Sequence, residues 1–283
     1  VSTQITTAFV QQFSNNIQML SQQTGSLFRN AVREESITGE KAFFEQLGST
    51  AAVKKTSRHG DTPLVHSQHD RRQVVTETYE WADLIDDSDK VRLLISPEST
   101  YAKSAAAAMS RSIDDTIIAA ATGTAYTGKS GSTSVSLSNT IAAGGTGLTL
   151  AKLIEAKKKL DLGNVDPSIK RYIAVSPEQI EDLLNSTTVT SADYNSVKAL
   201  VSGDIDTFLG FKFILTNRLS KSGSDRKCFA WAEDGILLAT GMNLKTEIST
   251  RADKSYSTQV FCAQDIGSTR MEEAKVVSID CQE

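Results

Sequence analysis

Residues 50 to 122 change character twice, and that order of segments is poorly suited to one compact core. A polar stretch carries Lys54, Lys55, Arg58, Arg71 and Arg72 together with all three histidines, His59, His66 and His69. An acidic block follows in Glu77, Glu80, Asp83, Asp86, Asp87 and Asp89. Ser96-Pro97-Glu98 then opens an alanine-rich run that lasts to Gly123. Ser96 can cap free amides, Pro97 suits the first helical position, and Glu98 complements the helix dipole. Tyr101, Ala105, Met109, Ile113 and Ile117 recur every four residues, which predicts a slim rod of roughly 39 Å. Arg111 is placed to pair with Asp114 or Asp115 on its other side.

The stretch before the rod reads as extended. Val53, Leu64, Val65, Val74 and Val75 are scattered among charges, and Arg58-His59-Gly60-Asp61 supplies turn chemistry. The pattern predicts a long β-hairpin with few core-facing positions, which needs a partner surface to be stable. Ahead of it, the first charged residue is Arg29. Phe9, Phe13, Ile17 and Leu20 recur there at helical spacing on an otherwise polar, neutral segment. So narrow a stripe fits a helix packed in this subunit, or an arm docked on a neighbour or an internal partner.

Residues 123 to 149 are rich in Gly, Ser and Thr and mark a boundary, beyond which the pattern is α/β. Thr149 caps a helix that stops near Gly163, with Lys157, Lys158 and Lys159 complementing its C-terminal dipole. A strand from Arg171 to Val175 runs into Ser176-Pro177-Glu178-Gln179, a capping-box pattern. A further helix is expected near Ala192 to Val201, then a strand from Phe211 to Thr216. The remainder reads as strands: Lys227 to Ala232, Ile236 to Thr240, Leu244 to Thr250, Thr258 to Ala263 and Ala274 to Ile279. Alternation at Leu244, Thr246 and Ile248 predicts an antiparallel sheet with one wet face.

Bulk properties remove several classes of function. A length of 283 residues suffices for one large domain or two modest ones. A formal net charge of −4 argues against a general nucleic-acid binder, although it suits a protein that encloses nucleic acid without gripping it. Cys228, Cys262 and Cys281 are widely spaced and read as reduced thiols. No run approaches the ~20 apolar residues of a membrane helix. The start lacks the charge and compact apolar region of a secretory leader.

Gly123-Thr-Ala-Tyr-Thr-Gly128-Lys129-Ser130 satisfies the phosphate-loop pattern GxxxxGK[ST]. That chemistry needs a buried strand before the loop and a helix directly after it. Here the preceding residues continue the alanine-rich helix, and Gly131-Ser-Thr-Ser is poor helix material, so a flexible hinge loop is expected. The histidines lie on the expected hairpin without partners placed to orient a metal's imidazoles, so they read as surface polar groups. The acidic block lacks the glycine and terminal glutamate of a calcium loop and reads as a solvated or interface-facing surface. No nucleophile, base and orienting-acid arrangement appears, and no catalytic site, metal or cofactor is expected.

Several phrases resemble those of tailed-bacteriophage major capsid proteins. They are Thr62-Pro63-Leu64-Val65-His66, Asp70-Arg71-Arg72, Tyr79-Glu80-Trp81-Ala82-Asp83-Leu84-Ile85-Asp86 and Thr100-Tyr101-Ala102-Lys103. Val175-Ser176-Pro177 and Phe208-Leu209-Gly210-Phe211 resemble the same family's second domain. The resemblance implies an α+β, Hong Kong 97-type (Johnson) fold. It implies an N-terminal arm over 1–48, an extended loop over 49–80, and a peripheral domain over 81–145 with its spine helix at 97–122. An axial domain over 146–240 and return strands of the peripheral domain over 241–283 complete it.

It also implies pentamers and hexamers closing into an icosahedral shell around double-stranded DNA, which the shell touches non-specifically. Scaffolding, portal and decoration proteins are the implied partners, with assembly in the bacterial cytoplasm and no membrane. An encapsulin-like compartment shares the fold. On this reading Lys54, Lys55, Arg58, Arg71 and Arg72 meet acidic patches of adjacent subunits, including Asp83, Asp86 and Asp87. Arg71→Ala with Arg72→Ala is then expected to leave the subunit folded and block closure.

Overall fold

Small and apolar side chains at four-residue spacing carry Glu98–Thr122 as one unbroken helix, α1, burying Ala105, Met109, Ile113, Ile117 and Ala121 in a single stripe. The computed structural model describes residues 21–85, 98–185 and 207–283. The Phe9-to-Leu20 stripe, the Ser96-Pro97 helix start, Asp86, Asp87 and the helix expected near Ala192 to Val201 lie outside them.

The expected pairing of Arg111 with Asp114 or Asp115 is replaced by tertiary partners. Arg111 Nη1 donates to Gln22 Oε1 and to the Gln23 carbonyl, both at 2.9 Å. Asp114 is fully buried and accepts from Gln23 Nε2 and Ser26 Oγ, while Asp115 pairs with Arg218. A buried carboxylate must be fully solvated by donors, which a partner on its own half-exposed helix face does not provide.

The chain divides into two compact units. One comprises Val1–Ser26, Glu77–Asp114 and Met242–Ile266, the other Leu27–Thr76, Asp115–Gly241 and Gly267–Glu283. In the first unit β4 (Glu77–Ile85) pairs antiparallel with β14 (Ser257–Arg270), from Glu77↔Ile266 to Ile85↔Thr258. On the other side of β14 runs β13 (Ile236–Arg251). It is one strand of 16 residues where two were expected, because the ladder carries Gly241 through without a turn. Ala105 and Met109 of α1 pack against Cys262, Tyr79 and Trp81. Gln264 Nε2 pins that contact by donating to the Met109 carbonyl and to Ser112 Oγ, each at 2.9 Å.

In the second unit β1 (Arg33–Ser36) lies parallel to the first residues of β13, Arg33↔Leu237 to Ser36↔Thr240. A four-stranded sheet holds β2 (Lys41–Leu47), β3 (His69–Val75), β5 (Ala125–Thr127) and β6 (Thr133–Val135) in that order. A larger sheet runs β7 (Thr140–Ile141), β15 (Val276–Gln282), β12 (Asp225–Ala232), β8 (Arg171–Val175), β10 (Phe211–Leu215), β9 (Thr207–Phe208), with β11 (Lys221–Ser222) folded onto β12. Every residue of β8 is buried, as its unbroken apolar run requires of a central strand. β15 belongs to this sheet through β12, so the expected set of return strands is split between the two units.

Phe28, Phe229, Trp231 and Tyr172 stack at centroid separations of 4.8 to 6.0 Å, and Trp231 Nε1 donates to the Ala31 carbonyl. Residues 27–47 are thus core and sheet, whereas the sequence reading placed them in an arm. Their pull is aromatic area: burying rings of this size dominates a core's energetics.

Thr149 caps α2 (Leu150–Leu162) and Gly163 ends it, as the sequence predicts. The two side chains expected to form a capping box for α3 (Pro177–Asn185) have a tertiary partner. Ser176 Oγ and Gln179 Nε2 both donate to Glu283 Oε1, at 3.0 and 3.4 Å. The Glu283 side chain is 3% exposed and also takes both arms of Arg226, each at 2.7 Å, and Lys221 at 3.0 Å. A buried charge recruits the strongest donors within reach, here two cations and two polar side chains.

The Arg226 guanidinium is foremost in holding the Glu283 carboxyl well below the usual carboxylate range. A carboxyl depressed in the folded state adds stability above its unfolded pKa, and loses it as the pH falls through the folded value. Glu283→Gln should therefore cost ~2 kcal/mol at neutral pH. The gap to the parent, measured by denaturant unfolding, should narrow as the pH drops below about 4.

Candidate assembly interface

Hydrogen bonding pairs β2 with β3 as the stem of a loop. Lys41↔Val75 through Leu47↔His69 form the ladder, and Gly48 N donates to the Gln68 carbonyl at its end. The expected hairpin over 49–80 is thereby shifted: its paired strands are 41–47 and 69–75. Residues 49–68 form a strandless loop between them, and 77–80 belong to β4. Few apolar side chains in the loop find cover. Val53 is 60% exposed, Leu64 84% and Val65 47%. The loop lines an open pocket of about 300 Å³ with Lys54, Lys55, Ser57, Gly60, Asp61 and Pro63. Lys54, Lys55 and Arg58 are exposed and make no ion pair among the described residues.

Arg71 and Arg72 part ways because strand residues alternate faces. Arg71 points outward, with Nη2 2.8 Å from Glu45 Oε1 and its guanidinium 5.6 Å over the Phe43 ring. Arg72 points inward and is 5% exposed. Its Nε donates to the Met271 carbonyl at 2.9 Å, and its Nη2 pairs with Glu273 Oε2 at 2.5 Å. Arg72 is therefore unavailable to an adjacent subunit, which corrects the sequence reading. Its burial follows from the company of Val74 and Phe44, which face Leu237, Ala239 and Met271 on the same side.

Glu273 also meets Arg270 Nε, at 3.4 Å. Arg270 is fully buried, and burial pulls its pKa down while Glu273 pulls it back up. Its Nη1 donates to the carbonyls of Ala121 and Gly123, at 3.1 and 2.8 Å, and its Nη2 to that of Val135 at 3.1 Å. This clasp holds the stem of the loop, the end of α1 and β6 together. Neither Arg270 nor Glu273 was singled out from the sequence. A charged pair at the end of the apolar strand β14 was the only available hint.

Arg72→Ala is expected to cost the subunit ~3 kcal/mol by leaving Glu273 short of a partner in a buried site. Arg71→Ala, at an exposed pair, should cost under ~1 kcal/mol. Urea unfolding of the unassembled subunit separates the two. The double substitution accordingly reports on folding as well as on closure.

The other singled-out residues are placed as follows. Asp83 is exposed on β4 opposite Val260, with its Oδ1 accepting from Leu84 N. His59 and His66 lie exposed on the loop and His69 at the exposed start of β3; among the described residues no three His, Cys, Asp or Glu side chains converge as metal ligands. Gly123 to Ser130 is preceded by a helix and not by a buried strand, as the sequence reading expected when it set the phosphate loop aside. α1 precedes the segment, β5 and β6 flank its turn with Thr127 paired to Thr133, and Lys129 is exposed. The order is helix, strand, turn and strand, not the strand, loop and helix that cradle a phosphate. Gly131, at φ +67, lies so close to Gln73 that a Cβ there would clash. Among the described residues no helix is long and apolar enough to cross a membrane.

The family model for phage capsid proteins matches residues 5–283. The chain belongs to the phage capsid protein family. No curated protein matches it. Solved structures agree in fold across nearly the whole subunit. The capsid of the cyanophage P-SCSP1u superposes with a TM-score of 0.75 at 17% identity, covering 100% of this chain and 96% of that one. A Mycobacterium phage Che8 structure gives 0.69 at 17% identity, covering 96% and 97%. The capsid of Helicobacter pylori bacteriophage KHP30 gives 0.72 at 11% identity, covering 95% and 94%. The capsid subunit thus has the α+β, Hong Kong 97-type architecture of these shells, and its work is to form a capsid.

Proposed function

We propose that this capsid subunit assembles as pentamers and hexamers into an icosahedral shell around the double-stranded DNA of a tailed phage. Assembly takes place in the bacterial cytoplasm around a scaffolding protein and a portal, and a decoration protein binds outside. The DNA is met non-specifically, and the chain works without a catalytic site. The unit holding β4 and the outer part of β13 serves as the peripheral domain, and the β8-centred sheet with α2 and α3 as the axial domain.

One observation carries this reading: the loop at 49–68 leaves Val53, Leu64 and Val65 exposed beside Lys54, Lys55 and Arg58, cations without an ion-pair partner among the described residues. An ordered stem that presents an uncovered apolar and cationic loop is built to land on a further copy. The acidic block from Asp83 to Asp87 is the complementary surface we assign to the receiving subunit. Each exposed pair is worth only ~0.2–1 kcal/mol, but repetition over a shell sets register and rejects wrong contacts.

Family membership favours this reading over an encapsulin-like compartment. Replacing Lys54, Lys55 and Arg58 together with alanine should leave the unfolding free energy of the subunit within ~0.5 kcal/mol of the parent. Closed particles seen in sedimentation should fall at least tenfold. Parent-like particle yields would overturn the assignment of these three residues.

A further inference from the structure

Beyond Thr240 the outer edge of β13 carries no strand. β1 pairs with β13 only from Leu237 to Thr240, so among the described residues β14 is the sole neighbour of positions 242–251. Ile37 N donates to the Thr240 carbonyl at 3.0 Å, which aims that carbonyl at the outer edge. Backbone groups alternate sides along a strand, so Met242, Leu244, Thr246, Ile248 and Thr250 turn their N–H and C=O groups to the same edge. A row of this length is a template for a further strand. On one face of it Met242, Leu244 and Ile248 are 37%, 43% and 47% exposed. Thr246 shares that face, with its Oγ1 3.3 Å from Cys262 Sγ. Lys245 and Glu247 stand on the other face, 3.6 Å apart.

We propose that this edge pairs antiparallel with the same edge of a second copy, across a two-fold axis through Thr246. The strand is complementary to itself about that residue. Lys245 falls opposite the partner's Glu247 and Glu247 opposite the partner's Lys245. Leu244 meets the partner's Ile248, again twice, and Thr246 meets its own copy. Opposite charges, apolar pairs and Thr–Thr pairs are the cross-strand neighbours that stabilise a sheet. The backbone agrees, because Thr246, Leu244 and Ile248 all turn their amides outward and can exchange hydrogen bonds in this register. Neighbouring registers do not agree. Centring on position 245 sets lysine against lysine, and centring on 247 sets glutamate against glutamate. Centring on 248 sets Lys245 against Arg251, and centring on 244 runs the pairing into Thr240, which β1 holds. An axis perpendicular to the sheet keeps the apolar faces of both copies on one side, so their exposed rows become continuous. Such an isologous contact is small, and it fixes register within a larger assembly. It uses a surface separate from the 49–68 loop, so either contact can fail without the other.

Cross-linking of the full chain tests the register. Lys245→Cys protein, mixed with an equal amount of Glu247→Cys protein under assembly conditions, is oxidised with copper phenanthroline. Opposed positions of this kind lie ~4.5 Å apart at Cα, inside the ~4.4–6.8 Å that a disulfide spans. The mixture should give dimers joined 245–247, identified by peptide mapping, at least tenfold above the dimer from either variant oxidised alone. No 245–247 link, or as much dimer from one variant alone, would overturn the proposal. A second arm exchanges the charges. Lys245→Glu faces the partner's Glu247 and should lower the yield of closed particles at least tenfold, while Lys245→Glu with Glu247→Lys should return it to within threefold of the parent. Both side chains are more than half exposed, so the unfolding midpoints of the three subunits should coincide. A parent-like yield from Lys245→Glu, or a double variant no better than the single one, would contradict the pairing.

Discussion

Arg270→Met should lower the unfolding free energy of the unassembled subunit by about 4 kcal/mol, the scale for breaking a buried ion pair from one side. Two losses combine. The last turn of α1 ends with carbonyls that have no partner within the helix. Arg270 satisfies those of Ala121 and Gly123 with one nitrogen while its other arm reaches Val135. Methionine fills the space and satisfies none of them. Glu273 is then left to Arg72, whose Nη1 is itself buried without a hydrogen-bond partner. Against a total stability of ~5–15 kcal/mol, a loss of this size populates unfolded chain at physiological temperature. Arg270→Lys should recover little, because a single ammonium cannot reproduce a planar fork aimed at two segments. Guanidinium unfolding of all three proteins, followed by tryptophan fluorescence, measures the order parent, then lysine, then methionine.

Lys152→Met should cost ~3 kcal/mol for a similar reason. Lys152 is 7% exposed, on the buried face of α2 with Leu153, Ala156 and Leu160. Its ammonium is ringed by four backbone carbonyls: Ala143, Thr146, Gly147 and Asp280, at 2.8 to 3.0 Å. Three protons serve four acceptors, so the lysine ties the 143–147 turn to β15 where no regular ladder does. Methionine keeps the length and removes every donor. The same unfolding experiment reads the loss, and hydrogen exchange should show it first in the 143–147 turn.

What the sequence made readable was local. The spacing of Ala105, Met109, Ile113 and Ile117 specifies α1, and the apolar run from Tyr172 to Val175 specifies β8, because each pattern is written within a few residues. Thr149 and Gly163 bound α2 for the same reason. The stem of the loop was misplaced because Phe43 and Phe44 are adjacent, which blurs a two-residue period that burial resolves only in the folded sheet. The charges proved hardest. Arg72 and Glu273 are 201 residues apart, and nothing local distinguishes Arg72, which is buried, from Arg71, which is not. Lys152 carried a faint signal, since it falls four and eight residues before Ala156 and Leu160 on the buried stripe. A lysine at such a position asks for buried acceptors. Likewise the spacing of Ser176 and Gln179 suggested a local cap and gave no hint that both donate to Glu283.

The capsid assignment is tested most directly by electron microscopy of the purified full-length subunit under assembly conditions. Closed shells with icosahedral symmetry, built of five- and six-fold rings, are the predicted result. Subunits that remain monomeric, or that form only fibres or trimers at every concentration and salt tested, would contradict it.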